Sequence, residues 1–339
     1  MTARLKDVAL KAGVSIKTVS NVVNGSPHVT EEMRERVQAV LEELNYQPNL
    51  PARYLRNGRV GIIALAIPDL SNSYFADIGN AIVTAAAARG YTVLLDHTTG
   101  NHENELRVLN GLRPHVIDGV ILSSVLLTPE DLQTRKVKVP LVLLGESLLE
   151  VPYDHVVVEN VEAAHAAMRH LLSLGKKRIA AIGTQDYTSS TTAYLRLCGY
   201  TEALAEAGLP YDPQLAVPVT AYHRTDGAEA MRQLLALESP PDAVFCFNDL
   251  LALGAIGALH EAGLGIPEDV AVVGFDDIEE ASFSTPSLTT IAPDKEKLGE
   301  LAVSFLLERI KGTRNGPGER IDVPFRLVVR ESTMGAGRG

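Results

Sequence analysis

Apolar side chains recur at helical spacing near the start of the chain, and beyond residue 60 they collect in short unbroken runs. Leu5, Val8, Ala9 and Ala12 lie three to four residues apart, which predicts an amphipathic helix interrupted at Gly13. Glycine can take the left-handed backbone that a tight interhelical turn requires, and Ser15 stands where the next helix needs an N-cap. Val19, Val22 and Val23 give that second helix its apolar side, leaving Ile16, Lys17, Thr18, Ser20 and Asn21 largely on other faces. Asn24-Gly25-Ser26-Pro27 is a turn signal. Thr30 can cap a third helix whose apolar stripe is Met33, Val37, Val40, Leu41 and Leu44. Three short helices of this kind fit a helix-turn-helix, and on pattern alone they fit equally a small bundle used for protein contacts.

From Val60 the period changes. VGIIALAI, TVLLD, GVILSS and PLVLLG alternate with helical stretches such as residues 76–89 and 103–112, and after residue 155 HVVVE, KRIAAIG, DAVFCF and DVAVVGF repeat the arrangement. Buried apolar strands separated by helices predict parallel-sheet α/β architecture, here duplicated as two lobes with a cleft between them. Ligands of such sheets sit beyond the carboxyl ends of the strands. That rule singles out Asp69, Asn72, Tyr74 and Phe75 after the first run, Asn248 and Asp249 after DAVFCF, and Asp276 and Asp277 after DVAVVGF, with Arg196 in the helix after KRIAAIG. A guanidinium, a carboxylate and an amide can together hold neighbouring hydroxyls, while an aromatic ring covers an apolar sugar face. The structural alternatives are an ion pair between Arg196 and Asp276, core packing for Tyr74 and Phe75, and capping for Asp249 and Asp277.

Composition narrows the class. The chain has 339 residues, 46% hydrophobic and 22% charged, as expected of a globular protein with two or three domains. No apolar run reaches the ~18–20 residues of a membrane span, and the first residues lack the apolar stretch of a secretory signal, so a cytoplasmic location without membrane contact is expected. Cys198 and Cys246 form no C-x-x-C pair and read as small buried hydrophobes. The net charge is −11, but it is unevenly spread: residues 1–58 hold 8 Lys/Arg against 6 Asp/Glu, and the remainder 23 against 36. Attraction to phosphate would therefore be local to the N-terminus, with the acidic body opposing non-specific adhesion to DNA.

The literal strings are more specific than the pattern. DVALKAGVSIKTVSNVVNG, TEEMRERVQAVLEELNYQPN and PARYLRNG, followed by IPDLSNSYFADIGNAI, FCFNDLLALGAIGAL, DVAVVGFDDIEEASFSTPSLTTI and RLVVRES, closely resemble the LacI/GalR repressor family in order and over essentially the whole chain. The resemblance implies an N-terminal all-α helix-turn-helix domain (1–47) and a hinge helix (48–59). It further implies an α/β periplasmic-binding-protein-like body (60–332) that binds an effector and dimerises. Lobe one would comprise about 60–158 and 290–320, lobe two about 159–289 and 321–332, with 333–339 a disordered tail that lacks a tetramerising leucine repeat. It places Ile16, Lys17 and Asn21 against base edges in the major groove, and Ser15, Thr18, Ser20 and Asn24 at phosphates or caps. In the hinge it makes Leu55 a wedge between base steps, with Arg53 and Arg56 on the backbone or groove floor. Arg196, Asn248 and Asp276 become the chief effector contacts, with Tyr74, Phe75 and Tyr222 as walls, and Glu146 stands near a position where relatives carry Asp. The implied partners are a palindromic operator, a second copy of the chain and a small effector: a sugar or sugar derivative, or alternatively a purine or nucleoside.

Other classes find little support. G-x-x-x-x-G-K-[ST], G-x-S-x-G and H-E-x-x-H are missing, and His165 and His170 are five apart rather than the four that would align two metal ligands on a helix. The nine histidines read as surface or capping residues, and neither metal nor cofactor is expected. A sugar-processing enzyme and a transport-type binding protein are the distant alternatives.

Overall fold

The computed structural model describes residues 3–23, 26, 28–46, 59–111, 116–145, 152–185 and 192–334. They form two compact units, Met1–Val60 and Gly61–Gly339.

In the first unit, α1 (Leu5–Ala12) ends at Gly13, whose φ of 67° puts it in the left-handed region and turns the chain into α2 (Ile16–Val23). The Ser15 hydroxyl accepts the Thr18 backbone N–H at 3.0 Å, so it caps α2 as expected. Thr30 occupies the N-cap position of α3 (Glu31–Glu43), but its side chain makes no capping bond. Val8, Ala9 and Ala12, Val19 and Val22, and Val37 and Leu41 close the core from the three helices. So small a core is built mainly from β-branched and Ala side chains, which let short helices approach closely.

The second unit holds two six-stranded sheets. The first starts with β1 (Ile62–Ile67), α4 (Ser73–Ala87), β2 (Thr92–His97), α5 (His102–Leu109) and β3 (Gly119–Ser123). It continues through α6 (Pro129–Gln133), β4 (Leu141–Leu144) and β5 (Asp154–Val158). The chain then builds the second sheet: α7 (Asn160–Ser173), β6 (Ile179–Thr184), α8 (Thr192–Glu206), β7 (Ala216–Pro218), α9 (Arg224–Leu235) and β8 (Ala243–Cys246). There follow α10 (Asp249–Glu261), β9 (Ala271–Phe275), α11 (Glu279–Phe283) and β10 (Thr289–Pro293). Helix α12 (Lys295–Lys311) and β11 (Arg320–Val323) return to the first sheet, and β12 (Phe325–Val328) and α13 (Glu331–Met334) to the second.

The first sheet has the order β11-β5-β4-β3-β1-β2, all parallel, and the second β12-β10-β9-β8-β6-β7 with only β12 antiparallel. Central strands are covered on both faces, which is why they read as continuous apolar runs; β2, at an edge, has no fully buried residue. Strand pairing shifts two of the expected lobe boundaries. Strand β10 pairs with β9 and β12, so the second crossing follows Pro293 rather than about 289, and β11 pairs with β5, so the third follows Val323 rather than about 320. Gly299 lets α12 lie close on α4: a Cβ there would come within 2.8 Å of the Ala81 Cβ.

The tail also differs from expectation at its start. Ser332 donates to the Val272 carbonyl at 2.6 Å and accepts from the Thr289 N–H at 2.8 Å, and the Thr333 hydroxyl bonds that of Thr289. These buried hydroxyls tie residues 331–334 to the second sheet as a helical turn. Residues 335–339 lie outside the described residues.

Candidate DNA-reading helix and effector cleft

Helix α2 buries Val19 and Val22 and turns its first residues to solvent. Ile16 is 53% exposed, Lys17 is exposed without an ion pair among the described residues, and Asn21 is half-buried. Ser15 and Thr18 are joined by their hydroxyls, 2.8 Å apart, as part of the cap. Ser20, one turn beyond Ile16 on the same side of α2, is only 8% exposed. Asn24 and the hinge residues Arg53, Leu55 and Arg56 lie outside the described residues.

Between the two lobes lies a cavity of about 620 Å³, within the usual range for small-molecule sites. Tyr74, Phe75, Arg196, Tyr222, Asn248 and Asp276 all line it. The lobe-two wall is polar and tightly fixed. Arg196, 8% exposed, donates from Nε to the Asn160 side chain at 2.7 Å and from a terminal nitrogen to the Phe247 carbonyl, and its guanidinium lies 3.4 Å above the Phe275 ring. Among the described residues its remaining nitrogen, Nη2, makes no protein hydrogen bond.

Asp276, 4% exposed, accepts no side-chain hydrogen bond among the described residues, and no ion pair joins it to Arg196. Burial lifts its carboxyl to about 7, against the opposing pull of Arg196 and Lys295. Its backbone is held at φ 119°, with Asp277 at 49°, conformations that cost a non-glycine residue ~1–3 kcal/mol each. That strain persists because each flank is fastened: the Asp276 N–H donates to the Ile291 carbonyl at 2.8 Å, and Asp277 pairs with Arg330 at 2.7 Å.

Asn248 caps α10, its Oδ1 accepting the Leu251 N–H at 2.8 Å while Nδ2 donates to the Tyr222 carbonyl at 3.1 Å. One amide N–H is left for the cavity. Burial raises the Tyr222 hydroxyl well above its ordinary value, and the group donates to the Gly183 carbonyl, so Tyr222 serves as a wall. Asp249 is not a capping side chain. It is fully buried, accepting the Thr290 hydroxyl at 2.6 Å and the Ile278 N–H at 3.0 Å. Asp277 is engaged by Arg330 and likewise caps nothing.

The lobe-one wall is more apolar. Asn72 caps α4, accepting the Tyr74 N–H at 3.0 Å, and this aims the first turn at the cleft. Tyr74 and Phe75 meet edge to face with ring centres 5.3 Å apart. Across the cavity Val125 and Leu126 form an exposed lip, braced by the buried Glu105, whose carboxylate accepts the N–H groups of Val125, Leu126 and Leu127. Three polar bridges join the lobes. The Asp69 carboxylate lies 3.4 Å from the His223 ring, Ser73 donates to Glu280 at 2.9 Å, and Lys295 links Asp77 (2.5 Å) to the Asp277 carbonyl (2.9 Å).

Residues 4–49 match the family described as "Bacterial regulatory proteins, lacI family", and 168–333 match "Periplasmic binding protein-like domain". The HTH-type transcriptional repressor CytR of Escherichia coli (strain K12) is 33% identical over 332 residues, covering 98% of this chain and 96% of the relative. The lac repressor dimer bound to operator and the anti-inducer ONPF superposes with a TM-score of 0.86 at 30% identity, over 98% of this chain and 99% of the other. A complex of the transcriptional regulator CelR with cellobiose gives 0.72 at 32% identity, over 97% and 99%. The chain belongs to the LacI family of bacterial regulatory proteins.

As a LacI-family member it is a DNA-binding transcriptional regulator with an effector-binding body, and no helix among the described residues is long and apolar enough to cross a membrane. Several residues escaped the reading of its sequence. Asn160 and Phe275, which lock Arg196, sit in apolar surroundings that give no local signal of a role. His97 and His223 line the cleft, and His155 and His165 are buried, so the histidines are not all at the surface. Cys246 is fully buried as expected, Cys198 only partly. Glu146 lies outside the described residues.

Proposed function

We infer that this LacI-family regulator is a cytoplasmic repressor that acts as a homodimer on a palindromic operator, and that a sugar or sugar derivative between its lobes sets its operator affinity. Ile16, Lys17 and Asn21 read base edges, with Ser15 and Thr18 near phosphates. Asn24, Arg53, Leu55 and Arg56 complete the DNA contact, Leu55 as the wedge. The chain divides into residues 1–47, 48–59 and 60–334, and the last of these, the body, is an effector module without turnover.

One observation carries the effector reading: Arg196, locked by three contacts, and the buried, unbonded Asp276 carboxylate line the same cavity. A donor and an acceptor fixed before binding suit neighbouring hydroxyls, and Tyr74 and Phe75 supply the apolar surface that a sugar ring requires. The cellobiose bound by CelR supports a saccharide. The aromatic pair equally accepts a planar ring, so a purine or nucleoside is the second reading. A thermal-shift screen of sugars and nucleosides tests both, since a ligand at 100 times its Kd adds ~2.7 kcal/mol. A stabilising sugar that also shifts operator binding supports the first reading; a nucleoside that does so supports the second; stabilisation by neither refutes both.

A further inference from the structure

The two lobes share an architecture but differ in charge at the end of each sheet remote from the cleft, where helices turn into strands. In lobe one that end presents Arg59 before β1, Arg89 between α4 and β2, Lys136 and Lys138 between α6 and β4, and Lys311 closing α12, against Asp118 before β3 and Glu319 before β11. The five basic residues are exposed, and none has an ion pair among the described residues, whereas Asp118 accepts the Gly61 N–H and Glu319 pairs with Arg314. Other arginines described there are committed: Arg135 donates to the Leu109 and Val139 carbonyls, and Arg309 and Arg314 both grip the buried Asp154, at 2.7 and 3.1 Å. Burial alone would raise that carboxyl, but the arginine bonds and the Glu319 N–H outweigh it and hold it below the usual range.

Cations are favoured at helix C-termini generally, because the helix dipole is negative there. That rule applies equally to lobe two, yet its corresponding turns carry Asp212, Glu238, Asp242, Glu268 and Asp269 against Lys176, Lys177 and Arg178. Arg178 is moreover paired with Asp212 at 3.2 Å. Helix dipoles therefore do not explain the contrast, and neither does composition, since residues beyond 58 carry 36 acidic against 23 basic side chains.

We propose that this end of lobe one is a second DNA-facing surface, which attracts the phosphate backbone of the duplex flanking the operator. The proposal rests on the operator-binding function inferred above. Chain continuity supports it: Arg59 and Val60 directly precede β1, so the chain enters the body at this face. Scale supports it too. From β4 to β2 is three strand steps of ~4.8 Å, about 14 Å, enough to face several phosphates at one charge per ~1.7 Å of duplex. The surface adds affinity without reading sequence.

The test uses the full chain and a palindromic site selected from a random duplex pool, as the bare site and as the site extended by about one helical turn, ~10 bp, on each side. K136E/K138E is compared with the wild type and with K176E/K177E on lobe two. The expected result is about a tenfold larger loss on the extended duplex than on the bare site, for K136E/K138E only. The slope of log K against log salt should become shallower by ~0.9 for each phosphate that the variant no longer neutralises. Equal losses on both duplexes, an unchanged slope, or the same effect from the lobe-two variant would overturn the proposal. A wild type that selects no duplex would instead refute the DNA-binding reading beneath it.

Discussion

The two walls of the cleft are built to opposite rules. Lobe two presents Arg196, Asn248 and Asp276, each held by bonds deep in its own sheet and helices. Lobe one presents Tyr74, Phe75, Val125 and Leu126, apolar groups on a helix turn and a braced loop. The difference separates two tasks. Fixed polar groups select a ligand because they do not reorganise on binding, whereas an apolar cover gains its contacts only when it meets the ligand. The polar wall should therefore govern which solute binds, and the apolar wall how far binding draws the lobes together.

Breaking the polar wall should have the largest effect. Arg196→Ala should lower effector affinity more than ~100-fold, given ~1.5–3 kcal/mol for each charge-assisted hydrogen bond removed together with its orientation. It also strips partners from Asn160 and the Phe247 carbonyl, so calorimetry should show a lowered Tm with folding retained. Loss of the fold would make Arg196 structural first.

Asp276→Asn should follow, at ~10–100-fold by titration calorimetry. It also has a pH signature. The buried carboxyl binds its proton up to about 7, whereas its ordinary value is 3.8. Between those values the folded state holds more protons than the unfolded one, so the carboxyl lowers stability progressively as pH rises through that window. The variant should thus be more stable than the wild type at about pH 8, with the advantage fading toward pH ~4. Hydroxyl donors favour the ionised carboxylate, so effector affinity in the wild type should weaken as pH falls below about 7.

Lys295→Met sharpens the comparison from the side of the lobe contacts. It cuts the bridge from Asp77 to the Asp277 carbonyl and should change effector affinity by only a few fold, since partly exposed ion pairs contribute ~0–1 kcal/mol. An effect as large as that of Arg196→Ala would mean that the bridge, not the polar wall, holds the ligand. Leu126→Ser, on the exposed lip, should be the mildest, at about twofold in the same titration.

Much of this was legible in the residues. Strand runs such as IIALAI announce their burial because both faces are covered, Asp276 stood out as a charged residue just past the end of a strand run, and Arg196 as one in the helix after another. What held them was not legible. Asn160 and Phe275 act through contacts made across 36 residues and across the sheet respectively, and local pattern carries no such information. Asp249 misled for a related reason: it begins a helix, as a capping residue does, yet pairing of β9 with β10 brings Thr290 to it, and the preceding Asn248 makes the cap. The end of lobe two was misjudged because small hydroxyl residues look like tail composition until Thr289 and Val272 supply their partners.

Effector control requires the cleft and the DNA-reading helix to be thermodynamically linked. The direct measurement is effector affinity by calorimetry, with and without saturating operator duplex, set beside operator affinity with and without saturating effector. Linkage predicts the same factor in both directions for the wild type, and a factor of one for Arg196→Ala. A wild-type chain that binds both ligands yet shows no change in either affinity would contradict it.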